Sequence, residues 1–257
     1  MSRTTRVDIL LAERGLAASR SRAADAVRRG HVRVNGVPVL KPGAMVDPDA
    51  HIDVDDPAQA YVSRGALKLI HALDTFGIDP AGLVCLDIGA STGGFTQVLL
   101  ERGAHLVHAV DVGHDQLAPH LRDDPRVRVY EGLNARDLTA DITGGTVDFI
   151  VADVSFISVR LALPPALKLA APGARLVALV KPQFEVGPEG LGKGGLVKSV
   201  ERGEAALAEI VAWLEAVPGW HVRGTTLSPI TGGDGNREYL LAAEYDGMPA
   251  AQAEPSD

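Results

Sequence analysis

The sequence predicts an α/β protein, a largely parallel sheet with helices on both faces, preceded by a small basic α+β module. Three observations carry this expectation. From Ser63 onward, apolar strand-like runs alternate with helix-like segments, which is the pattern of a parallel sheet. The residues before it read instead as short helices followed by a tight hairpin. Charge divides along the same line: residues 1–46 hold nine Lys or Arg against three Asp or Glu, and the rest hold sixteen against thirty, under a net charge of −8. A basic head on an acidic body points to polyanion binding through the head.

In chain order, Val7, Leu10 and Leu11 recur at helical spacing and Gly15 closes that helix. Ser19 or Ser21 can cap the next, whose apolar face is Ala23, Ala24, Ala26 and Val27 up to Gly30. Val32 and Val34 alternate with Arg33, and Asn35-Gly36 forms a hairpin turn before Val37 and Val39. Residues 1–57 are expected to form the module and 58–62 a linker, with 63–246 the larger domain. The last stretch, Gly247 to Asp257, reads as a disordered tail. Within the larger domain a helix is expected over Ser63 to Phe76 and strands at Val84 to Ile88, Leu106 to Val110, Val127 to Tyr130, Phe149 to Ala152 and Leu176 to Val180. A long helix, Val200 to Ala216, leads to two more strands, His221 to Leu227 and Tyr239 to Ala243. With no helix between them, these should form an antiparallel hairpin at one edge of a seven-stranded sheet.

Composition narrows the function classes. No apolar run approaches the roughly 18 residues of a membrane helix, and Asp8 and Glu13 interrupt the apolar start, so no signal peptide is expected. A cytoplasmic location follows. Cys85 is the single cysteine, which excludes an internal disulfide and a multi-cysteine metal site; it reads as a buried strand residue, and no metal is called for.

Asp87-Ile88-Gly89-Ala90-Ser91-Thr92-Gly93-Gly94-Phe95 is a strand running into a glycine-rich turn that opens a helix. Glycines let backbone approach a ligand, and a helix start offers unpaired N–H donors. Asp111, seventeen residues past Gly94 and followed by Val112, ends a strand where a carboxylate can accept both ribose hydroxyls of a nucleoside cofactor. Asn134 and Ala135, past the third strand, are placed to touch its base. A dinucleotide fingerprint reads GxGxxG or GxGxxA, whereas position 91 here is Ser. With Asp87 ahead of the first glycine, the turn suits the amino-acid end of S-adenosyl-L-methionine better than a pyrophosphate; NAD is the rival.

Lys181 follows the strand Leu176 to Val180 and should emerge at the carboxyl edge of the sheet, where α/β proteins bind ligands. Asp153, at the end of the neighbouring strand, occupies the matching position and is also expected to contact the cofactor near its sulfonium. Lys68, early in the first helix of the domain, and Glu238, at the start of the last strand, complete the set. Singly, a Lys or Glu mostly solvates a surface. Together they suit ribose 2′-hydroxyl methylation, in which a lysine of lowered pKa handles the proton of a weak nucleophile while carboxylates orient the ammonium groups. Neither an Asn-Pro-Pro-aromatic motif nor a cysteine nucleophile, the usual marks of base methylation, is present.

These residues carry a resemblance. Lys68, Asp153, Lys181 and Glu238 resemble the K-D-K-E tetrad of FtsJ-like ribose 2′-O-methyltransferases, which implies a Rossmann-like methyltransferase sheet. Arg6 to Val54 resembles an S4 RNA-binding domain. The pairing, with the strings Tyr61 to Leu69, Gly89 to Thr96, Ala152 to Ser158 and Val180 to Glu185, is similar to the TlyA family, once labelled hemolysin A, over residues 3–245. That resemblance implies methylation of cytidine ribose in ribosomal RNA, with ribosomal subunits as partners and no membrane, and for actinobacterial members targets in both subunits and sensitivity to capreomycin-type antibiotics. Where such members carry Arg and Trp in the linker, this chain has Gln59 and Tyr61. For RNA, the expected contacts are Arg20, Arg22, Arg28, Arg29 and Arg33, with Arg6, Lys41 and, in the larger domain, Phe156. Residues 1–57 lack aromatics, so this module should recognise folded RNA by shape and phosphate contact. A monomer is expected. A membrane-active hemolysin, an RNA base methyltransferase and an RNA binder with an inactive enzyme fold are the competing readings.

Overall fold

The computed structural model describes residues 4–247, which fall into two units, one up to Ala60 and one from Tyr61. Residues 248–257 of the expected tail lie outside the described residues. The first unit contains β1 (Thr5–Arg6), α1 (Val7–Glu13), α2 (Arg20–Arg28), β2 (Val32–Val34), β3 (Val37–Pro38), β4 (Met45–Val46) and β5 (Ile52–Val54). Ser19, of the two expected serines, caps α2: its hydroxyl accepts from the Arg22 N–H at 3.2 Å. Asn35 and Gly36 both take positive φ, 49° and 78°, the requirement of the two-residue turn that joins β2 to β3. Val7, Leu11, Ala23, Val27, Val32 and Ile52 pack as one core, each large side chain contributing about 1.5 to 3 kcal/mol. The expected linker straddles the boundary between the units. Its first residues belong to a 3-10 turn, Pro57–Ala60, in which Ala58 is buried and its carbonyl accepts from the Arg22 guanidinium, while Gln59 donates to the Leu16 carbonyl at 2.8 Å.

The second unit runs through α3 (Ala66–Phe76), β6 (Val84–Ile88), α4 (Gly94–Glu101), β7 (Leu106–Asp111), α5 (Pro119–Arg122), β8 (Val127–Glu131), α6 (Ala140–Thr143), β9 (Val147–Ala152), α7 (Val159–Ala162), α8 (Pro164–Leu167), β10 (Ala170–Val180), α9 (Val200–Glu215), β11 (Trp220–Leu227) and β12 (Tyr239–Tyr245). Seven strands form one sheet in the order β11-β12-β10-β9-β6-β7-β8, parallel except for β11 and β12. The expected hairpin exists, with β12 inserted between β10 and β11. Period-two alternation divides the strand residues between two cores. Phe149 and Val151 face Leu69, Leu73 and Leu99 of α3 and α4, whereas Ile150 and Ala152 face Ile210 and Leu214 of α9. Cys85 is fully buried, and burial pushes its thiol up to about 12, so it is inert.

Helix α3 starts three residues later than expected. Ser63 forms a turn of its own, its hydroxyl accepting from Gly65 N–H at 3.1 Å and its carbonyl from Ala66 N–H. Lys68 still lies in the first turn. The chain leaves β6 toward β7 and β8, then crosses to β9 on the other side of β6. That reversal opens a crevice at the carboxyl ends of β6 and β9, where doubly wound sheets bind ligands.

Asp8 on α1 is buried and accepts from Arg6 at 2.8 and 3.0 Å and from Arg20 at 3.2 Å. The Arg6 hydrogen bonds, against burial, hold its carboxyl at about 2. Its stabilising contribution is therefore present above the ordinary carboxylate pKa of roughly 4 and lost as pH falls toward 2. In denaturant titrations at a series of pH values, the native chain should lose stability over this interval more steeply than Asp8→Asn. Parallel slopes would show that the pair contributes nothing.

Candidate active site

Gly89 leaves β6 with φ 83°, and a Cβ there would lie 2.5 Å from the Asp153 carbonyl, so only glycine allows the turn to pass the end of β9. Ser91 also has positive φ, 47°. The Asp111 carboxylate, at the end of β7, ties this turn to the next loop by accepting from Ser91 N–H at 2.8 Å and Gly113 N–H at 2.7 Å. Each oxygen retains a further lone pair for a ligand hydroxyl. Glu131 fixes the loop beyond, accepting from the N–H groups of Asp115, Gln116 and Leu117 and from Arg122. Between these loops lies a cavity of about 420 Å³ lined by Gly89, Ser91, Asp111, Val112, Asn134 and Ala135, with Gln116 and Leu133. Its chemistry fits a nucleoside cofactor: a carboxylate for the ribose, apolar side chains for the base, and turn backbone for a polar end. Asn134 already accepts from Arg136 N–H through its side-chain oxygen. Of the expected cofactor residues, Thr92 is exposed, whereas Ala90, Gly93, Gly94 and Phe95 are buried behind the cavity wall. Gly93, with φ 100°, is packed on Leu117 and Leu121.

Asp87 is fully buried beneath the turn. One oxygen accepts from the Thr96 hydroxyl at 2.7 Å and the other has no hydrogen-bond partner. Burial, opposed by the Thr96 hydrogen bond and reinforced by Asp153, raises its carboxyl to about 7.

Lys68, Asp153, Lys181 and Glu238 line a second cavity of about 240 Å³. Strand register explains the convergence. Val180 of β10 is opposite Tyr239 of β12, so the residues just beyond, Lys181 and Glu238, leave the sheet at one edge. Lys68 Nζ lies 2.5 Å from Glu238 Oε2, with both side chains buried, and Lys181 Nζ lies 2.6 Å from Asp153 Oδ1. Isolated charges could not remain at such depth, but paired ones can. Asp153, Ser155 and Phe156 line both cavities and so mark their junction. Phe156 is 91% exposed with φ 65° and stacks obliquely on Phe184. An exposed aromatic held in the left-handed region is strained, a feature that concentrates at functional sites.

In the first unit, Arg28, Arg33 and Lys41 are exposed, and Arg6 and Arg20 surround Asp8. Arg29 departs from expectation. It lies between Asp25 at 2.8 Å and Asp56 at 2.6 Å with its side chain 13% exposed, an internal ion pair rather than a phosphate contact.

The family model of FtsJ-like methyltransferases matches residues 61–245, and that of the S4 domain residues 5–52. The chain is 51% identical over 243 residues to the 16S/23S rRNA (cytidine-2′-O)-methyltransferase TlyA of Mycobacterium tuberculosis, covering 94% of this chain and 90% of that one. The chain belongs to the FtsJ-like methyltransferases, in the TlyA family. Another TlyA-like relative, Hemolysin A of Brachyspira hyodysenteriae, is 39% identical across 91% of this chain and 98% of its own. A solved structure from Streptococcus thermophilus that carries the name hemolysin superposes with a TM-score of 0.74 at 41% identity, covering 100% of this chain and 94% of that one. The hemolysin name thus runs through the family, yet no helix of the described residues is long and apolar enough to cross a membrane.

Ser155, Gln116 and Glu131 were not singled out from the sequence of this TlyA-family chain. Ser155 stands in the string Ala152 to Ser158, two residues past Asp153, but a lone serine carries no signal without its partner. Two outcomes follow from the geometry. Asp111→Ala should weaken S-adenosyl-L-methionine binding by roughly 1.5 to 3 kcal/mol, the value of hydrogen bonds to a charged group; unchanged calorimetric affinity would remove Asp111 from the cofactor site. Because the folded-state pKa of Asp87 is raised, its contribution to stability is full below about 4 and lost as pH rises to about 7. Asp87→Asn should therefore gain stability relative to the native chain across that interval, read from urea midpoints at each pH.

Proposed function

We propose that this protein transfers a methyl group from S-adenosyl-L-methionine to the ribose 2′-hydroxyl of cytidine in the ribosomal RNA of both subunits, within the cytoplasm. The observation that carries the reading is the meeting, at Asp153, of the polar cavity that holds Lys68, Lys181 and Glu238 with the cavity lined by Asp111 and Asn134. The family membership and the activity named for the Mycobacterium tuberculosis relative support it.

When bound, S-adenosyl-L-methionine supplies an electrophilic methyl on a sulfonium. The chain supplies the rest. Asp111 would hold the cofactor ribose, and Val112, Leu133 and Ala135 would lie against its base. Lys181, acting from its neutral amine form after releasing its own proton to solvent, takes the proton of the target 2′-hydroxyl as the oxygen attacks, and Asp153 keeps the resulting ammonium compensated at the junction. The Lys68–Glu238 pair closes the opposite wall with fixed polarity and orients the ribose. Phe156 offers its exposed ring as a stacking face for an unpaired base, the mode by which splayed-out RNA nucleotides are held. In the first unit, Arg6, Arg20, Arg22, Arg28, Arg33 and Lys41 contact RNA phosphates, which position a partner without reading its sequence.

Lys181→Met keeps most of the side-chain volume and removes the amine. Single-turnover methylation of ribosomal subunits should fall by about 10²- to 10⁴-fold, the usual range for a general base, with little change in cofactor affinity. Nuclease digestion and mass spectrometry of the native product should place the methyl on ribose. A methyl found on the base would overturn the reading even if transfer occurs.

A further inference from the structure

Lys181 sits among two chain partners that differ in kind. Asp153 Oδ1 is 2.6 Å from Nζ, yet this oxygen takes part in no hydrogen bond, so the contact is close but too oblique to be directional. Ser155 Oγ, 2.7 Å away, accepts a properly aligned hydrogen bond from the same nitrogen. Ser155 is also exposed, and it lines both the cofactor cavity and the four-residue cavity.

We propose that Ser155 is a positioning residue for methyl transfer, fixing the rotation of the Lys181 amine so that its remaining valence faces the target hydroxyl. This rests on the assignment of Lys181 as the base. A lysine nitrogen turns freely about its last C–N bond, and Asp153 attracts its charge without choosing a rotation. Directing one N–H at Ser155 Oγ sets the other two directions. In the neutral amine one of these is the lone pair, and proton abstraction requires it to lie along the O–H of the ribose. Misplacing a reacting group by about 1 Å can slow the chemical step by about 100-fold.

The test uses the full chain, with purified ribosomal subunits that lack the modification as substrate. Ser155→Ala should lower the single-turnover rate roughly 10- to 100-fold while affinities for S-adenosyl-L-methionine and for subunits stay within about twofold, and Ser155→Thr, which keeps a hydroxyl, should recover most of the rate. In a Lys181→Met background, Ser155→Ala should cause no further loss, because its effect passes through the amine. A native rate in Ser155→Ala, a Thr variant as slow as Ala, or a full additional loss in the Lys181→Met background would each overturn the proposal. A Lys181→Met enzyme that keeps its rate would instead overturn the assignment of the base.

Discussion

The second unit is organised around a lysine that cannot stand alone. Lys68 belongs to the first helix of this unit and is 6% exposed, a depth at which an unpaired ammonium would cost several kilocalories per mole. Its partner, Glu238, stands just ahead of the last strand, 170 residues later. One ion pair of 2.5 Å thus joins the two ends of the unit across the sheet edge. The remaining parts of the site depend on that closure. With Lys68 and Glu238 satisfying each other, the cavity between them and the Lys181–Asp153 pair keeps a fixed shape and a balanced charge. Such pairing adds little net stability compared with apolar packing, but it fixes which charged atom faces which.

The cofactor cavity obeys a different constraint, the close approach of two strand ends. The turn after β6 passes within contact of the Asp153 backbone, which is possible because residue 89 has no side chain. Asp111 and Glu131 then secure successive loops by accepting backbone N–H groups. Carboxylates here serve as clamps for loops as well as acceptors for ligand. Loops held in this way are preorganised, so binding need not bear the cost of ordering them.

Much of this was legible in the sequence because it depends on local pattern. The seven strands follow from apolar runs bounded by turn residues, and the hairpin turn at Asn35-Gly36 from a dipeptide that tolerates positive φ. Lys181, Asp153 and Glu238 could be placed because each adjoins a strand end, and strand ends share an edge. Pairings between side chains were not legible. Arg29 resembles its neighbours Arg22 and Arg28 in sequence, and its burial between Asp25 and Asp56 depends on where residue 56 returns to the helix. The start of α3 was missed because Ser63 forms a local turn with Gly65 that competes with helix initiation. Ser155 was passed over for a similar reason, since its meaning lies in a nitrogen 26 residues away.

The reversed direction of β12 has a consequence for when the protein becomes competent. Because it runs antiparallel to β10, this strand begins at the edge where the parallel strands end, and so brings Glu238, the residue just before it, to the site. A chain emerging in order from its amino terminus exposes Lys68 early, then Asp153 and Lys181, and reaches Glu238 close to the end. Until then Lys68 lacks the carboxylate with which it is paired in the folded unit. The set Lys68, Asp153, Lys181 and Glu238 is therefore complete only once the chain has run to the start of β12, whereas the S4 unit precedes all four in sequence. In chain order the S4 unit is thus complete before any member of that set appears, and the set is closed by the segment that leads into the last strand.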